Sequence, residues 1–508
     1  MKLRTLRTTA VLAAAGLALT ACGSGDSTDS GTQSGGELTM GMVVDVGTWA
    51  ATDAAWGNAA PYHQAVYDTL LRTAADGTVE PGLAEEWSYD ESGTELTLEL
   101  RDAVTFSDGE EFNAEVAASN LERFRDGASE NAGNLAALEE VEVVDDDTII
   151  LHLESPDPAL LAYLSQNSGL QASPASFDSP DAQQTPVGSG PYVLDADATI
   201  PGSTYALTAR EDYWDPEVQH YSSILMNFYP DATALLNALK GGQVDYANLN
   251  STTQLPDAEA AGYTPHLAPV NWKGYILADR EGEVNEALGD VRVRQAFNHA
   301  FDREALVDAI EGGYAEPTTQ IFGPETSAYS ADLEDAYPYD PEKAKALLAE
   351  AGYPDGITIT MPVTSFVPAA ELELLAGMLA ESNITVDGEQ AGSSFIGELL
   401  GGKWAAFQFG LNQEPLPWMT YQLAVAPESA WNVQHVEDET IQALAERMRH
   451  GGEDGDAAAR ELNEYLVDEA WFAPIYRVEG ALVTADGTTT THKIGTAAPN
   501  LWDIRPTE

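Results

Sequence analysis

Asp340-Pro341-Glu342-Lys343-Ala344-Lys345-Ala346-Leu347-Leu348-Ala349-Glu350-Ala351-Gly352-Tyr353-Pro354-Asp355-Gly356-Ile357-Thr358-Ile359-Thr360-Met361 reads as one helix followed by one strand. An aspartate side chain caps a helix start, and proline is preorganised for the first helical position, so Asp340-Pro341 begins the helix. Ala344, Leu347, Leu348 and Ala351 share one face, and Gly352 ends the run just before Pro354. The alternating Ile357 to Met361 then suits a strand.

Working outward, the same grammar repeats. Asp231 caps a run carrying Leu235, Leu236 and Leu239, which stops at Gly241-Gly242 before a short strand, Val244 to Ala247. Asp290 precedes Val293, Ala296, Phe297, Ala300 and Phe301, all on one helical face, and Asp302 caps the next helix. Thr94 to Arg101 sets Leu96, Leu98 and Leu100 against threonine and glutamate, the period of a half-buried strand. Val141 to Leu153 reads as a hairpin turning at Asp145-Asp146-Asp147. Three neighbouring carboxylates at a turn point apart into water, so they serve the turn rather than a metal ion. Leu38 to Val44 reads as an opening strand and Asp45 to Tyr62 as loop. Strands alternating with helices place the chain in the α/β class with at least two lobes.

The amino terminus reads as a secretory signal. Lys2, Arg4 and Arg7 flank an apolar run from Ala10 to Leu19, which is too short to cross a hydrocarbon core of about 30 Å. Leu19-Thr20-Ala21-Cys22 resembles the bacterial lipobox, and Cys22 is the only cysteine in 508 residues. The expectation is a signal peptide over residues 1–21, lipid attachment at Cys22, and a Gly/Ser/Asp tether over 22–36 too polar to pack. The protein is then extracytoplasmic and held on the outer face of the cell membrane.

With 83 acidic against 23 basic residues the formal net charge is −60. Nucleic acid is excluded as a partner, because binding a phosphate backbone requires a lysine or arginine stripe. The acidity reads as a solvated surface that keeps the protein dispersed.

Several longer blocks resemble one family. Glu80-Pro81-Gly82-Leu83-Ala84-Glu85-Glu86-Trp87 is followed by Leu96 to Gly109, then by Pro186-Val187-Gly188-Ser189-Gly190-Pro191-Tyr192, Asp290 to Ala296, Phe301-Asp302-Arg303 and Tyr339 to Leu348. In this order they look like the oligopeptide, dipeptide and nickel-binding group of ABC-importer solute-binding proteins, family 5, here as an actinobacterial-type lipoprotein. The resemblance runs from Glu37 to the end. It implies a two-domain periplasmic-binding-protein-like fold (type II, cluster C) with an extra lobe inserted in domain one. Residues 37–62, 185–278 and 478–508 would form domain I, 63–184 the extra lobe and 279–477 domain II. Gly188, Gly190 and Pro191 would shape a turn, and Arg292 or Arg303 would anchor helices.

The resemblance also implies where a ligand lies: in the loop Asp45 to Trp56, in Asn271-Trp272-Lys273-Gly274-Tyr275, and in the late stretch Gly410 to Trp418. The candidate contacts are Trp49, Asn271, Trp272, Tyr275, Asn412, Gln413, Glu414 and Trp418, with aromatic faces covering apolar ligand surface. Peptide-binding members carry an aspartate in the late loop for the ligand's ammonium. This chain has Asn412, Gln413 and Glu414 there, which leaves Glu414 as the candidate partner.

Catalysis finds little support. Gly397 to Lys403 spells G-x-x-x-x-G-K, but Trp404 stands where a phosphate loop needs serine or threonine. G-x-S-x-G and S-x-x-K are absent. His63, His152, His220, His266, His299, His435, His450 and His492 are scattered without a close ligand pair. The expectation is therefore a monomeric receptor without cofactor or bound metal, which captures a peptide or similar amphiphilic solute for an ABC permease and ATPase complex. The alternatives are a nickel-chelate or other small-molecule receptor on the same fold and, more distantly, a secreted hydrolase.

Overall fold

Two thirteen-residue strands, Thr264–Ile276 and Phe472–Thr484, pair antiparallel along their whole length and organise the molecule. The computed structural model describes residues 35–507 apart from 178, 250, 365, 366 and 393. The signal peptide, Cys22 and most of the tether lie outside the described residues. Gly35 and Gly36, at the end of the stretch read as tether, already belong to the first strand.

In chain order the strands of the large sheet are β1 (Gly35–Met42), β2 (Tyr192–Leu194), β3 (Thr204–Ala209), β4 (Tyr221–Phe228), β5 (Tyr246–Leu249), β6 (Thr264–Ile276), β7 (Ala315–Pro317), β8 (Phe407–Asn412) and β9 (Phe472–Thr484). Their spatial order is β8-β6-β9-β5-β1-β4-β3-β2, with β7 paired to β9. β1 runs parallel to β4 and β5, and the other pairings are antiparallel. At one end β9 pairs with β5 through Ala481 to Thr484. At the other end β6 pairs with β8 through Asn271 to Ile276. The two long strands therefore cross from one α/β domain into the other.

Around β1 and β4, Leu38, Met40, Ile224 and Met226 form an apolar core with Tyr62 and Tyr205. Beyond the crossing, Tyr275, Ala473 and Ile475 are covered by the helices Val291–His299, Pro341–Glu350 and Ala369–Glu381. A further antiparallel sheet, in the order Ala84–Tyr89, Glu95–Leu100, Thr148–Leu153, Leu138–Val143, packs under the helix Ala114–Arg125 with a core of its own. Leu96, Leu98 and Leu100 point into that core, each stabilising it by about 1.5–3 kcal/mol relative to exposure.

The four helix starts read from aspartates are capped as the sequence implies. Asp231 accepts from Ala234 N, Asp290 from Arg292 N, Asp302 from Ala305 N and Asp340 from Lys343 N, at 2.9, 2.9, 3.1 and 2.9 Å. Strand ends shift more. The strand read from Val244 begins at Tyr246, because Asp245 turns its carboxylate to accept from Thr39 N at 2.8 Å and Val244 O accepts from Tyr263 Oη at 2.7 Å. The first strand ends at Met42, ahead of Val44. Gly188 and Gly190 permit a close backbone crossing. A Cβ on Gly188 would lie 2.1 Å from Val66 O, and one on Gly190 2.5 Å from Tyr67 N.

Candidate functional site

Among the described residues β8 is the last strand of the sheet, so one of its edges pairs with no other strand there. Gln408, Phe409 and Gly410 of β8 line a cavity of about 700 Å³. Its floor is the crossing region: Val270, Asn271 and Lys273 of β6 with Val478, Glu479 and Gly480 of β9. Asn58, Asn248 and Thr252 approach from one side, Glu311 and Glu371 from the other. A second cavity of about 490 Å³ shares Asn58 and Ala497 with it and continues past Trp56, Tyr163, Asn412 and Glu414. The two adjoin at these residues, in the cleft between the domains.

The charges in this cleft are unbalanced. Lys273 Nζ lies 3.1 Å from Glu311 Oε1, whose other oxygen accepts from Thr252 Oγ1 at 3.2 Å. Glu371 accepts from Gln408 Nε2, and burial raises its pKa above the usual carboxylate value. Burial, with Glu316 nearby, pushes Glu479 up to about 7. Three carboxylates thus face one ammonium, and the arrangement suits a solute that brings positive charge with hydrogen-bond donors.

The residues expected from the sequence fall into two groups. Asn271 lines the larger cavity, and Asn412 and Glu414 line the second. Trp49 sits in the core of the first domain, edge-on to Tyr62 and Tyr205 at 6.0 and 5.8 Å. Trp272 is buried edge-on against Phe472 at 5.5 Å. Tyr275 stacks on Phe301 at 5.5 Å beneath the helix Val291–His299. Trp418 packs against Tyr421 at 5.2 Å, with the Arg449 guanidinium 4.9 Å from its ring, and borders a smaller cavity of about 390 Å³. Gln413 is buried and borders a different cavity.

Both faces of the sheet are covered in the second domain, so an aromatic residue of β6 becomes core whichever way it points. Lys273, Glu311, Glu371, Gln408 and Glu479 were not singled out from the sequence. Lys273 carries a usable signal, since it shares a strand face with Asn271 at period two. Glu311 follows the helix Arg303–Ile310 and Glu371 lies on the helix Ala369–Glu381, both among many acidic residues, and they carry none.

The G-x-x-x-x-G-K string is no phosphate loop. Its first residues form the helix Phe395–Leu400, and Lys403 pairs with Glu389 and Glu398 at 2.9 and 2.5 Å. Asp147 N donates to Asp145 Oδ1 at 3.3 Å, so the triple aspartate closes its turn on itself. Among the described residues, no group of three or more histidine, cysteine, aspartate or glutamate side chains is placed to hold a metal ion. Nor is any helix among them long and apolar enough to cross a membrane.

Burial pushes Glu414 up to about 7, against 4.5 for the free side chain. Between those values the folded protein keeps a proton that the unfolded chain has released, so this group's contribution to stability falls as pH rises through the window. Glu414→Gln removes the cost of ionising it. The expected result is a gain on the order of 2 kcal/mol at pH 8 and almost none at pH 4, read from urea unfolding at both pH values. An equal gain at both would show that ionisation is not the cause.

Two α/β domains joined by crossing strands, with a cleft lined from both, define a two-domain periplasmic-binding-protein-like fold. The model of the bacterial extracellular solute-binding proteins, family 5 Middle, matches residues 78–431, and the chain belongs to that family. Heme-binding protein A of Haemophilus influenzae is 31% identical over 327 residues, 58% of this chain and 57% of that protein. The glutathione-binding protein GsiB of Escherichia coli is 30% identical over 285 residues, 55% of this chain and 54% of that protein. The chain thus spans about half the length of the curated relatives it matches. The structure of HbpA2 from Haemophilus parasuis superposes with a TM-score of 0.81 at 21% identity, covering 93% of this chain and 100% of that one.

Proposed function

We propose that this protein is the extracytoplasmic receptor of an ABC importer, captures a peptide or peptide-like solute in the cleft between its domains, and hands it unchanged to a membrane permease. The observation that carries this reading is a cavity of about 700 Å³ lined by β8, by the crossing strands β6 and β9 and by Glu311 and Glu371, with β8 the last strand of the sheet among the described residues. An extended peptide added there satisfies its own backbone groups against the strand, and alternate side chains enter the cavity. Glu371 and Glu479 supply carboxylates for a terminal ammonium, in place of the late-loop residue Glu414. The glutathione-binding relative supports a peptide-like solute, and the heme-binding relative supports tolerance of a large apolar one.

The same reading divides the chain into domain I (residues 37–62, 185–278 and 478–508), an extra lobe (63–184) and domain II (279–477). It anchors the protein through lipid on Cys22, and the domains close as solute binds. Incorporation of radiolabelled palmitate that disappears in Cys22→Ser tests the anchor.

Calorimetric titration with a set of di- to pentapeptides, and separately with nickel in the presence of histidine, tests the solute. Heat with peptides is expected, and heat with nickel-histidine alone would replace the peptide by a metal chelate. Glu371→Gln is expected to weaken peptide binding at least tenfold, since a charge-assisted hydrogen bond contributes about 1.5–3 kcal/mol. Unchanged affinity would remove Glu371 from the site.

A further inference from the structure

Charge in the cleft is almost all of one sign. Glu311, Glu371 and Glu479 line the larger cavity, and Glu130 and Glu414 line the one that adjoins it. Among the described residues lining either space, Lys273 is the one cationic side chain. Its ammonium is already engaged, 3.1 Å from Glu311 Oε1, and the Glu311 side chain is only 7% exposed. Lys273 therefore offsets Glu311, and the remaining carboxylates meet no other cation on these walls.

A free peptide brings two charges to such a cleft. Glu371 and Glu479 suit its ammonium, but its carboxylate finds no counterpart, and a charge taken out of water without an opposite charge or a set of donors is strongly disfavoured. A helix start is the other feature that could hold an anion. The helix Ala369–Glu381 begins at the larger cavity, with Pro368 and Glu371 on the wall. Proline has no N–H to offer, and Glu371 already places a negative charge in the first turn. In the adjoining cavity the polar lining is largely amide, from Asn131, Asn134, Gln166, Asn412 and Gln422. Side-chain amides match carboxamide or hydroxyl groups donor to acceptor, and they bring no charge to balance an anion. Burial raises the pKa of Glu371, Glu414 and Glu479, so an incoming cation favours their ionised form.

We propose that the solute is an amine without a free carboxylate, its ammonium held by Glu371 and Glu479 and its other end a neutral carboxamide or hydroxyl group among the amides of the second cavity. This rests on capture in the cleft, and it narrows the peptide-like solute to one whose carboxyl terminus is blocked.

Calorimetry at neutral pH compares the tripeptide amide Ala-Leu-Ala-NH2 with the free acid Ala-Leu-Ala and with the N-acetylated amide, and tyramine with tyrosine. The amide is expected to bind about tenfold or more tighter than either relative, and tyramine tighter than tyrosine by a similar factor, since one unpaired charge separates the members of each pair. Asn412→Arg, which adds a cation to the second cavity, should bring the free acid to within about threefold of the amide. A free acid that binds the parent as tightly as the amide would overturn the proposal and leave the peptide reading in place. So would an acetylated amide that binds as tightly as the amine, or a gap between amide and acid that persists undiminished in Asn412→Arg. Binding of tyramine but not tyrosine, with all three peptides silent, would support the proposal and overturn the peptide reading. Silence from every probe would overturn both.

Discussion

Arg303→Met is expected to destabilise the protein by about 3–5 kcal/mol, the loss typical of breaking a buried charged network. Arg303 is 7% exposed and opens the helix Arg303–Ile310. Its Nε donates to Thr318 O and Pro474 O, both at 3.0 Å. Nη1 donates to Asn298 O at 3.2 Å and Tyr337 O at 2.8 Å, and Nη2 to Asn298 Oδ1 at 3.2 Å. One guanidinium thus ties the end of one helix, the start of the next, the loop after β7 and strand β9. Burial pushes its pKa down to about 10, so it remains charged at neutral pH and is solvated by carbonyl dipoles. Methionine fills the volume but leaves those carbonyls without donors, each costing about 1–3 kcal/mol where water cannot reach. Lysine is not expected to rescue, because a point charge cannot reproduce the planar fork. Urea unfolding measures the loss, and a change below about 1 kcal/mol would mean that neighbouring groups re-satisfy the carbonyls.

Trp272→Ala is expected to cost a similar amount, about 3–5 kcal/mol, through the cavity it leaves. The indole is 1% exposed and meets the ring of Phe472 edge-on at 5.5 Å, in the core that also holds Trp404, Phe407 and Trp418. Asn271 and Lys273, its neighbours along β6, line the cleft instead. Solute affinity of the folded Trp272→Ala protein should therefore stay within about threefold of the parent, a difference under 1 kcal/mol. Denaturant unfolding and calorimetry on one preparation separate the two readouts. A large fall in affinity with stability intact would return Trp272 to the binding surface.

Local signals were legible where the physics is local. Asp231, Asp290, Asp302 and Asp340 cap their helices because each bond closes within a few residues. The alternation of Leu96, Leu98 and Leu100 against glutamate predicts the buried face of a half-exposed strand for the same reason. β5 starts later than the sequence implies because Asp245 is spent on Thr39, more than two hundred residues away in the chain. No window around Val244 contains that partner.

The binding site was less legible, and the aromatic residues show why. A tryptophan near a ligand loop suits a ligand face and a core equally well, and Trp49, Trp272 and Tyr275 lie in cores because other elements cover them. Glu311, Glu371 and Glu479 were hidden by number, being three carboxylates among 83 acidic residues. What distinguishes them is burial beside a shared cavity, which depends on how helices dock on the sheet.

Taken alone, the order of residues determined the α/β class, the capped helices, the hairpin around Asp145 to Asp147 and the membership blocks from Glu80 to Leu348, since hydrophobic period and cap chemistry act over one or two turns of chain. Only the tertiary structure decided that β8 ends the sheet among the described residues and that Lys273, Glu311, Glu371 and Glu479 face one cavity. Those facts depend on which surfaces remain uncovered after strands and helices distant in sequence have packed, and burial is a property of the whole assembly rather than of any segment.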